Sequence, residues 1–557
     1  MLSFQLHSTT GQITMDFFYL SNLILQSTLL KYKLIFTFYI IICLIISVIS
    51  IITPIITGKF IDRLVSAQSS EFIIHFYLIL ISVSILNFSL GYINNLIYIK
   101  LQTKASFDLN RDVLKHMQKV SLSYINKQEK VYLTQRINHD SNTVIIFCIN
   151  VLQYVVINLC KIIVPMTMIC RFDYRISIVI VVMMGIYFLS YTLLKDPLFS
   201  NALRLKENQA KLFSKLNEQM EQVKFIKTNG LVSVFTDRLN PDFASVLKSA
   251  VSYQKINSAY SGLDVLFFLI MQTSTFLFAG SGVVQGKISI GEFTVINSFS
   301  SIIFSSITYF FNLGKNIQDT AVAYKRLTEL DSLEDETNGS IVLEKIEKIV
   351  LGEVSFSHGT KTILSQLCYS FEIGNIYSIT GSNGTGKTTL VDLVIGLFID
   401  DYAGKISYND IPINKIDMYY ARQLSIGVAE QEPVLLSDTI LNYLAISNPL
   451  VDETLLHRLI TNLGLSDFFA TLPGGLNYRI DEKSTNLSGG EKQKLALLRT
   501  LLKKPNVLIL DEPTSALDKK SATALLHYLQ EIKKDSIILL ITHDPIIIEG
   551  SDYELHL

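Results

Sequence analysis

Gly381-Ser382-Asn383-Gly384-Thr385-Gly386-Lys387-Thr388 fits G-x-x-x-x-G-K-[ST], the pattern of a phosphate-binding loop. An apolar, β-branched run, Ile376 to Thr380, precedes it, and Leu390 to Ile395 follows at helical composition. That is the strand, loop, helix order the pattern needs. Glycines let backbone amides approach phosphate oxygens with no Cβ in the way. A helix beginning near Lys387 would add the positive end of its dipole. Lys387 is expected to neutralise the outer phosphates and the Thr388 hydroxyl to ligate Mg²⁺.

Working outward, the 557 residues are unusually apolar: 49% hydrophobic against 17% charged. The excess lies before residue 315, so the chain divides into a greasy half and a mixed half. A net charge of −1, with no basic arm or tail, argues against nucleic acid as the partner. Six apolar stretches follow one another: Leu34 to Thr57, Phe72 to Ile99, Ser141 to Cys170, Ile176 to Leu194, Ile256 to Gly286 and Phe293 to Gly314. Each matches the roughly 20 residues a helix needs to cross a bilayer. Lys100 to Asp140 and Lys195 to Lys255 are long and rich in Lys and Arg, whereas the other loops are short with few cations. The positive-inside rule puts the long segments and both termini in the cytoplasm. Leu109, Val113, Met117 and Val120 recur at helical spacing, so the membrane helices are expected to run on into the cytoplasm and turn back there.

Two ionisable side chains fall inside the apolar stretches, Lys161 and Asp264. Intramembrane charge is expensive, which makes both candidates for a substrate cavity. The five cysteines form no C-x-x-C pair and read as buried small hydrophobes. Residues 1–30 carry no charged n-region or small-residue cleavage site, so no cleaved signal peptide is expected. Domain boundaries are expected at 31–330 for the membrane half, 331–340 for an acidic, polar linker and 341–557 for the nucleotide half.

In that second half, Val354 to Ser357 alternates like a strand, ended by His358 and Gly359. Ile426 to Ala429 is another, ending at Glu430-Gln431. Val507 to Leu510 and Ser536 to Ile541 are continuous apolar runs, as in strands buried on both faces. Asp511 and Glu512 close the first, Thr542 and His543 the second. Ligands of open α/β sheets bind at the carboxyl ends of strands, where the phosphate loop, Gln431, Asp511, Glu512 and His543 are all expected. Asp511 can hold Mg²⁺, Glu512 can orient or deprotonate a water, His543 can contact the outer phosphate and Gln431 can join the metal or the water. Leu487-Ser488-Gly489-Gly490-Glu491 precedes a helical stretch, Gln493 to Leu502, and makes a second anion-binding helix start. Either both starts serve one nucleotide or each nucleotide is shared by two chains.

Taken together, the phosphate loop, Gln431, the Leu487–Glu491 signature, Leu510-Asp511-Glu512, the loop Ser515-Ala516-Leu517-Asp518 and His543 resemble the ordered motif set of the ATP-binding cassette transporter family, in its exporter subclass. The resemblance implies a membrane all-α domain of six helices joined to an α/β nucleotide-binding domain. It further implies a half-transporter that works as a dimer with ATP and Mg²⁺. ATP would meet residues 381–388 and Thr389 of one chain and the signature of the other. Asp108 to Asp140 and Glu218 to Lys227 resemble the family's cytoplasmic coupling segments. His358 stands where the family usually has a Tyr stacked on adenine, and Glu482-Lys483-Ser484 lacks the usual Gly before the signature. Residues 1–30 contain no Cys, so no peptide-trimming domain is expected. The expected activity is ATP-driven export across the cell membrane by a homodimer. A peptide of the bacteriocin or lantibiotic kind is the first expectation for the substrate, then a drug or a lipid. An ATP-gated regulator or channel is the alternative of another class.

Overall fold

The computed structural model describes residues 29–66, 71–128, 130–359, 361–446, 452–481 and 486–557. The chain forms two compact units, Met1–Lys115 with Val131–Ser332, and His116–Lys130 with Leu333–Leu557.

The first unit is built from long helices: α1 (Lys33–Ser66), α2 (Glu71–Met117), α4 (Lys130–Phe172), α5 (Tyr174–Glu221), α6 (Val223–Thr228), α7 (Val232–Val284) and α8 (Ile290–Asp331). Among the described residues, 6 helices are long and apolar enough to cross a membrane. Uncharged runs of Ile, Leu, Val and Phe end up helical because lipid offers backbone amides no partner. Pro54, Pro165, Pro197 and Pro241 are tolerated inside these helices. Ile176, Ile180, Phe267, Met271, Phe299 and Ile303 form the unit's buried core. Outward-facing side chains are themselves apolar: Phe88 is 76% exposed and Leu277 67%. Water would penalise that surface and lipid does not.

The first apolar stretch ends at Thr57, but α1 continues to Ser66 and carries Lys59, Asp62 and Arg63. Asp62 reaches the start of α8, accepting from the Ser289 hydroxyl and the Gly291 amide, both at 2.7 Å. α8 opens with a capping box: Glu292 N–H donates to the Ser289 hydroxyl and Ser289 N–H to the Glu292 carboxylate, each at 2.9 Å. Gly291 packs so tightly on α1 that a Cβ there would fall 2.0 Å from the Gly58 carbonyl oxygen.

In the second unit a four-stranded antiparallel sheet has the order β2-β1-β4-β5, with β1 (Lys348–His358), β2 (Lys361–Glu372), β4 (Tyr402–Tyr408) and β5 (Ile411–Pro412). A five-stranded parallel sheet has the order β6-β7-β8-β3-β9, with β3 (Ile376–Thr380), β6 (Ile426–Ala429), β7 (Val507–Asp511), β8 (Ile537–Ile541) and β9 (Tyr553–His556). Side chains alternate faces along a strand, and both faces here are covered. Val507 and Ile509 enter one core with helix α9 (Lys387–Val394). Leu508 and Leu510 enter the other with helix α13 (Gly489–Leu502). The smaller helices α10 (Ile440–Ala445), α11 (Glu453–Asn462) and α12 (Ser466–Thr471) add Tyr443, Leu459 and Phe469 to that second core, with Leu525 of α14 (Lys519–Ile532).

The short helix α3 (Leu122–Asn126) also belongs to this unit. Leu122 packs against the first core and the Ser123 hydroxyl donates to the Asp401 carboxylate. The Lys119 carbonyl accepts from the Glu336 amide at 2.7 Å.

Two expectations about cysteine fail. Cys43 and Cys148 are buried, but Cys170 and Cys368 are exposed. Cys170 lies near the end of α4, where an apolar side chain facing lipid needs no core. Cys368 is on β2, an edge strand with one open flank.

Candidate functional site

The phosphate loop begins as β3 ends. Gly381, Gly384 and Gly386 all have positive φ, and Gly386 is the N-cap of α9 at φ 101°. A Cβ at Gly386 would lie 2.7 Å from the Ile363 side chain. Only glycine meets both demands, the left-handed backbone and the close neighbour. Lys387 Nζ donates to the carbonyls of Gly381 at 2.6 Å and Ser382 at 3.2 Å, and lies 3.4 Å from His543 Nε2. The ammonium is therefore held against the loop's own carbonyls. The Thr385 hydroxyl closes the loop on the Ser382 carbonyl at 3.0 Å. Ser382, Asn383 and Thr388 are exposed; Thr389 is half-buried.

Carboxylates gather where the parallel strands end. Burial pushes Asp511 up to about 6, and the charges of Glu512 and Glu430 add to it while Lys387 opposes. Asp392 of α9 is pushed up to about 6 as well, by burial and then by Glu430 and Asp511. The donor set suits a hard divalent cation: carboxylate and hydroxyl oxygens, with excess negative charge that Lys387 only partly offsets. Among the described residues no three His, Cys, Asp or Glu side chains are placed to hold a metal unaided. Mg²⁺ needs no such cage, since it keeps waters and takes phosphate oxygens into its shell.

Glu512 sits at φ 47°, a left-handed conformation that costs a non-glycine residue about 1 kcal/mol or more. Its amide donates to the Ile541 carbonyl at 2.8 Å. Its carboxylate is 4.0 Å from His543 Nε2, and only 19% of the Glu512 side chain is exposed against 53% for His543. Gln493, two residues past Glu491 of the signature, ties this region together. Its amide nitrogen donates to the Gln431 carbonyl at 2.7 Å. Its amide oxygen lies 3.1 Å from the Ser515 hydroxyl, which is also 2.8 Å from the Glu512 carbonyl. Gln431 itself is exposed. Asp518 accepts the Ser521 amide at 2.7 Å and caps α14, and that bond holds its carboxyl below the usual range. Leu517 packs on the second core, and Ala516 is the neighbour a Cβ on Gly490 would meet.

The second anion-binding start is more covered than the glycines suggest. α13 begins at Gly489, four residues ahead of Gln493, because Ser488 and Glu491 form a capping box. Ser488 N–H donates to the Glu491 carboxylate at 2.7 Å, and the Ser488 hydroxyl takes the Glu491 amide at 3.3 Å. The amides of Gly489 and Gly490 are the donors left at this end. Leu487 is buried beneath them. His358 is exposed at the end of β1. Residues 482–485, with Glu482, Lys483 and Ser484, and residues 1–28 lie outside the described residues.

In the helical unit, Asp264 accepts from the Tyr187 hydroxyl. Lys161 is half-buried on α4, and no ion pair joins it to Asp264 among the described residues. Sequence reasoning missed Asp392, Glu430 and Gln493. Glu430 carried a signal, since it follows a strand at the sheet's carboxyl edge, and so did Gln493, which stands two residues past the signature.

The family model of the ABC transporter transmembrane region matches residues 36–307, and the family model described as ABC transporter matches residues 364–515. Microcin-J25 export ATP-binding/permease protein McjD of Escherichia coli is 24% identical, over 91% of this chain and 88% of that protein. Multidrug resistance-like ATP-binding protein MdlA of Buchnera aphidicola is also 24% identical, over 89% and 87%. ATP-dependent lipid A-core flippase of Syntrophus aciditrophicus is 25% identical, over 80% and 74%. A solved structure of a bacterial Atm1-family ABC exporter with ATP bound superposes with a TM-score of 0.81 at 18% identity, covering 94% of this chain and 93% of that one, which shows a shared fold. Six apolar helices, a phosphate loop on a doubly covered parallel sheet and both family matches in that order meet in one conclusion: this chain belongs to the ATP-binding cassette transporter family, as an exporter-type half-transporter that hydrolyses ATP.

Proposed function

We propose that the chain pairs with a second copy of itself in the cell membrane, ATPase unit in the cytoplasm, and exports a small peptide. One observation carries the pairing. The phosphate loop leads into α9 on one face of the parallel sheet, while Ser488 heads α13 on the other. Two anion-binding helix starts on opposite faces do not converge on one nucleotide within a chain. A partner's Gly489 and Gly490 amides can instead complete the shell around phosphates held by Gly381–Thr388.

In that shared site, Lys387 and the loop amides hold the phosphates. Asp511 and Thr388 would hold Mg²⁺, with Gln431 completing its shell; bound there, the ion would neutralise charge on the phosphate oxygens. Glu512 takes the water's proton or orients it, and His543 steadies the outer phosphate. His358 would stack on the base. ATP then favours the closed pair over the open one by differential affinity, and loss of the outer phosphate removes that preference. Glu512→Gln should keep ATP binding and lower hydrolysis about 100-fold or more. Unimpaired turnover in that variant would remove Glu512 from the water-activating role.

The peptide reading is favoured by the relative named for microcin export, which this chain matches over 91% of its length. The relative named as a lipid A-core flippase supports a lipid as the second reading. Inside-out vesicles separate them: ATP-dependent accumulation of a labelled peptide supports the first, ATP-dependent flipping of a labelled lipid alone the second. Neither activity, with hydrolysis intact, would favour a gated regulator.

A further inference from the structure

We propose that Asp264, Tyr187 and Tyr260 form a recognition site for a cationic group on the transported molecule; this rests on the exporter reading but not on the peptide. Asp264 belongs to α7 and Tyr187 to α5, inside two of the candidate spans. At 1.5 Å per residue Tyr187 lies about 20 Å along α5 from its start, within the roughly 30 Å apolar slab. The Tyr187 hydroxyl donates to the Asp264 carboxylate, and its oxygen lies 3.4 Å from that of Tyr260.

Both tyrosines are neutral, so they solvate the carboxylate without balancing its charge. Among the described residues no ion pair joins a cation to Asp264. Over residues 256–284 of α7, Asp264 is the single charged residue. The apolar part of α5 lies between Arg175 and Lys195, and that of α8 carries only Glu292. A carboxylate accepts up to about four hydrogen bonds, and one tyrosine leaves most of that capacity open.

The surroundings define what else the ligand carries. Tyr187 meets Phe267 edge-on at 5.2 Å and Phe304 at 6.3 Å between ring centres. Met183, Met184 and Met271 line the apolar pocket beside them. Aromatic faces attract cations, and methionines adapt to apolar bodies of varied shape. Negative charge, aromatic wall and pliable apolar floor together fit an amphipathic cation: a protonated amine or guanidinium on an apolar frame, as in a peptide bearing Lys or Arg.

The chain contains no Trp, so a short amphipathic peptide with one Trp and one Lys reports its own binding by fluorescence to full-length protein in nanodiscs. Its Nε-acetylated form and tetraphenylphosphonium, followed by calorimetry, complete the set. Asp264→Asn should weaken binding of the lysine peptide and of tetraphenylphosphonium about tenfold or more, leave the acetylated peptide unchanged, and be milder in Tyr187→Phe. If the Asn variant does not fold, the wild-type comparison decides, because equal affinity for the lysine and acetylated peptides overturns the site. Undiminished cation binding in a folded Asp264→Asn, or no cation binding to wild type, overturns it too. Asp264-dependent binding of tetraphenylphosphonium without any peptide binding supports the site and removes the peptide reading instead.

Discussion

Gln493 shows how a residue far from any reacting atom can set catalysis. It holds the Gln431 backbone on one side and, through Ser515, the turn that keeps Glu512 in its left-handed conformation on the other. Gln493→Ala should lower kcat about tenfold with KM for ATP within about twofold, because positioning is lost and phosphate contacts are not. Gln493→Glu, which retains the acceptor for Ser515, should recover part of it; a loss confined to thermal stability would argue for packing alone. Asp511 makes a second case. Its carboxyl titrates near 6 in the folded chain against an ordinary 3.8. Between those values the folded state holds a proton that the unfolded state releases, so its stability falls as pH rises from about 4 to about 6 and the penalty is complete above that. Asp511→Asn should therefore melt higher than wild type without nucleotide at pH 7.5, by a few degrees, and lose hydrolysis. The gap should close as the pH is lowered through 6, which a fluorescence melt can follow. The motif residues of this site were legible because phosphate chemistry constrains type and spacing together. Glu430 and Asp392 were not, since Glu430 acts on Asp511 through space and Asp392 is acted on by both in the same way.

Among the elements, strands and apolar helices were the easily read part. Ile426–Ala429 is found with the bounds its composition implied, and all six apolar stretches became helices, since both a doubly covered sheet and a bilayer demand unbroken apolar runs. Ends were harder. Two glycines hid the start of α13, although Ser488-x-x-Glu491 spelled a capping box. The docking of α1 on α8 had no local signal, because Asp62 and Ser289 are far apart in the chain. That dock makes a sharp prediction. Gly291→Ala would put a Cβ 2.0 Å from the Gly58 carbonyl and 2.5 Å from the Asp62 carboxylate. The helices must separate, at a cost of about 1–3 kcal/mol, seen as a lower unfolding midpoint in detergent. Asp62→Ala, which frees the Ser289 and Gly291 donors without overpacking, should cost less, about 1 kcal/mol.

At the scale of the whole molecule, the decisive question is how many chains build one ATP site, and complementation answers it without any new structure. A Lys387→Ala chain has a crippled phosphate loop and an intact signature; a Ser488→Arg chain has the reverse. Each alone should be nearly inactive as a homodimer, since every shared site then contains one damaged half. Mixed dimers differ. One site combines both damaged halves, but the other joins the intact loop of the Ser488→Arg chain to the intact signature of the Lys387→Ala chain. Co-expressed in equal amounts and pairing at random, half the dimers are mixed and each has one of two sites, so ATPase activity should return to about a quarter of wild type if the sites act independently. The opposite faces occupied by α9 and α13 are what make this outcome expected. If instead each chain folded its own signature over its own loop, no mixture would recover anything. Activity in the co-expressed pair no higher than in either parent would therefore refute the shared site, while recovery near a quarter would place each nucleotide between two chains.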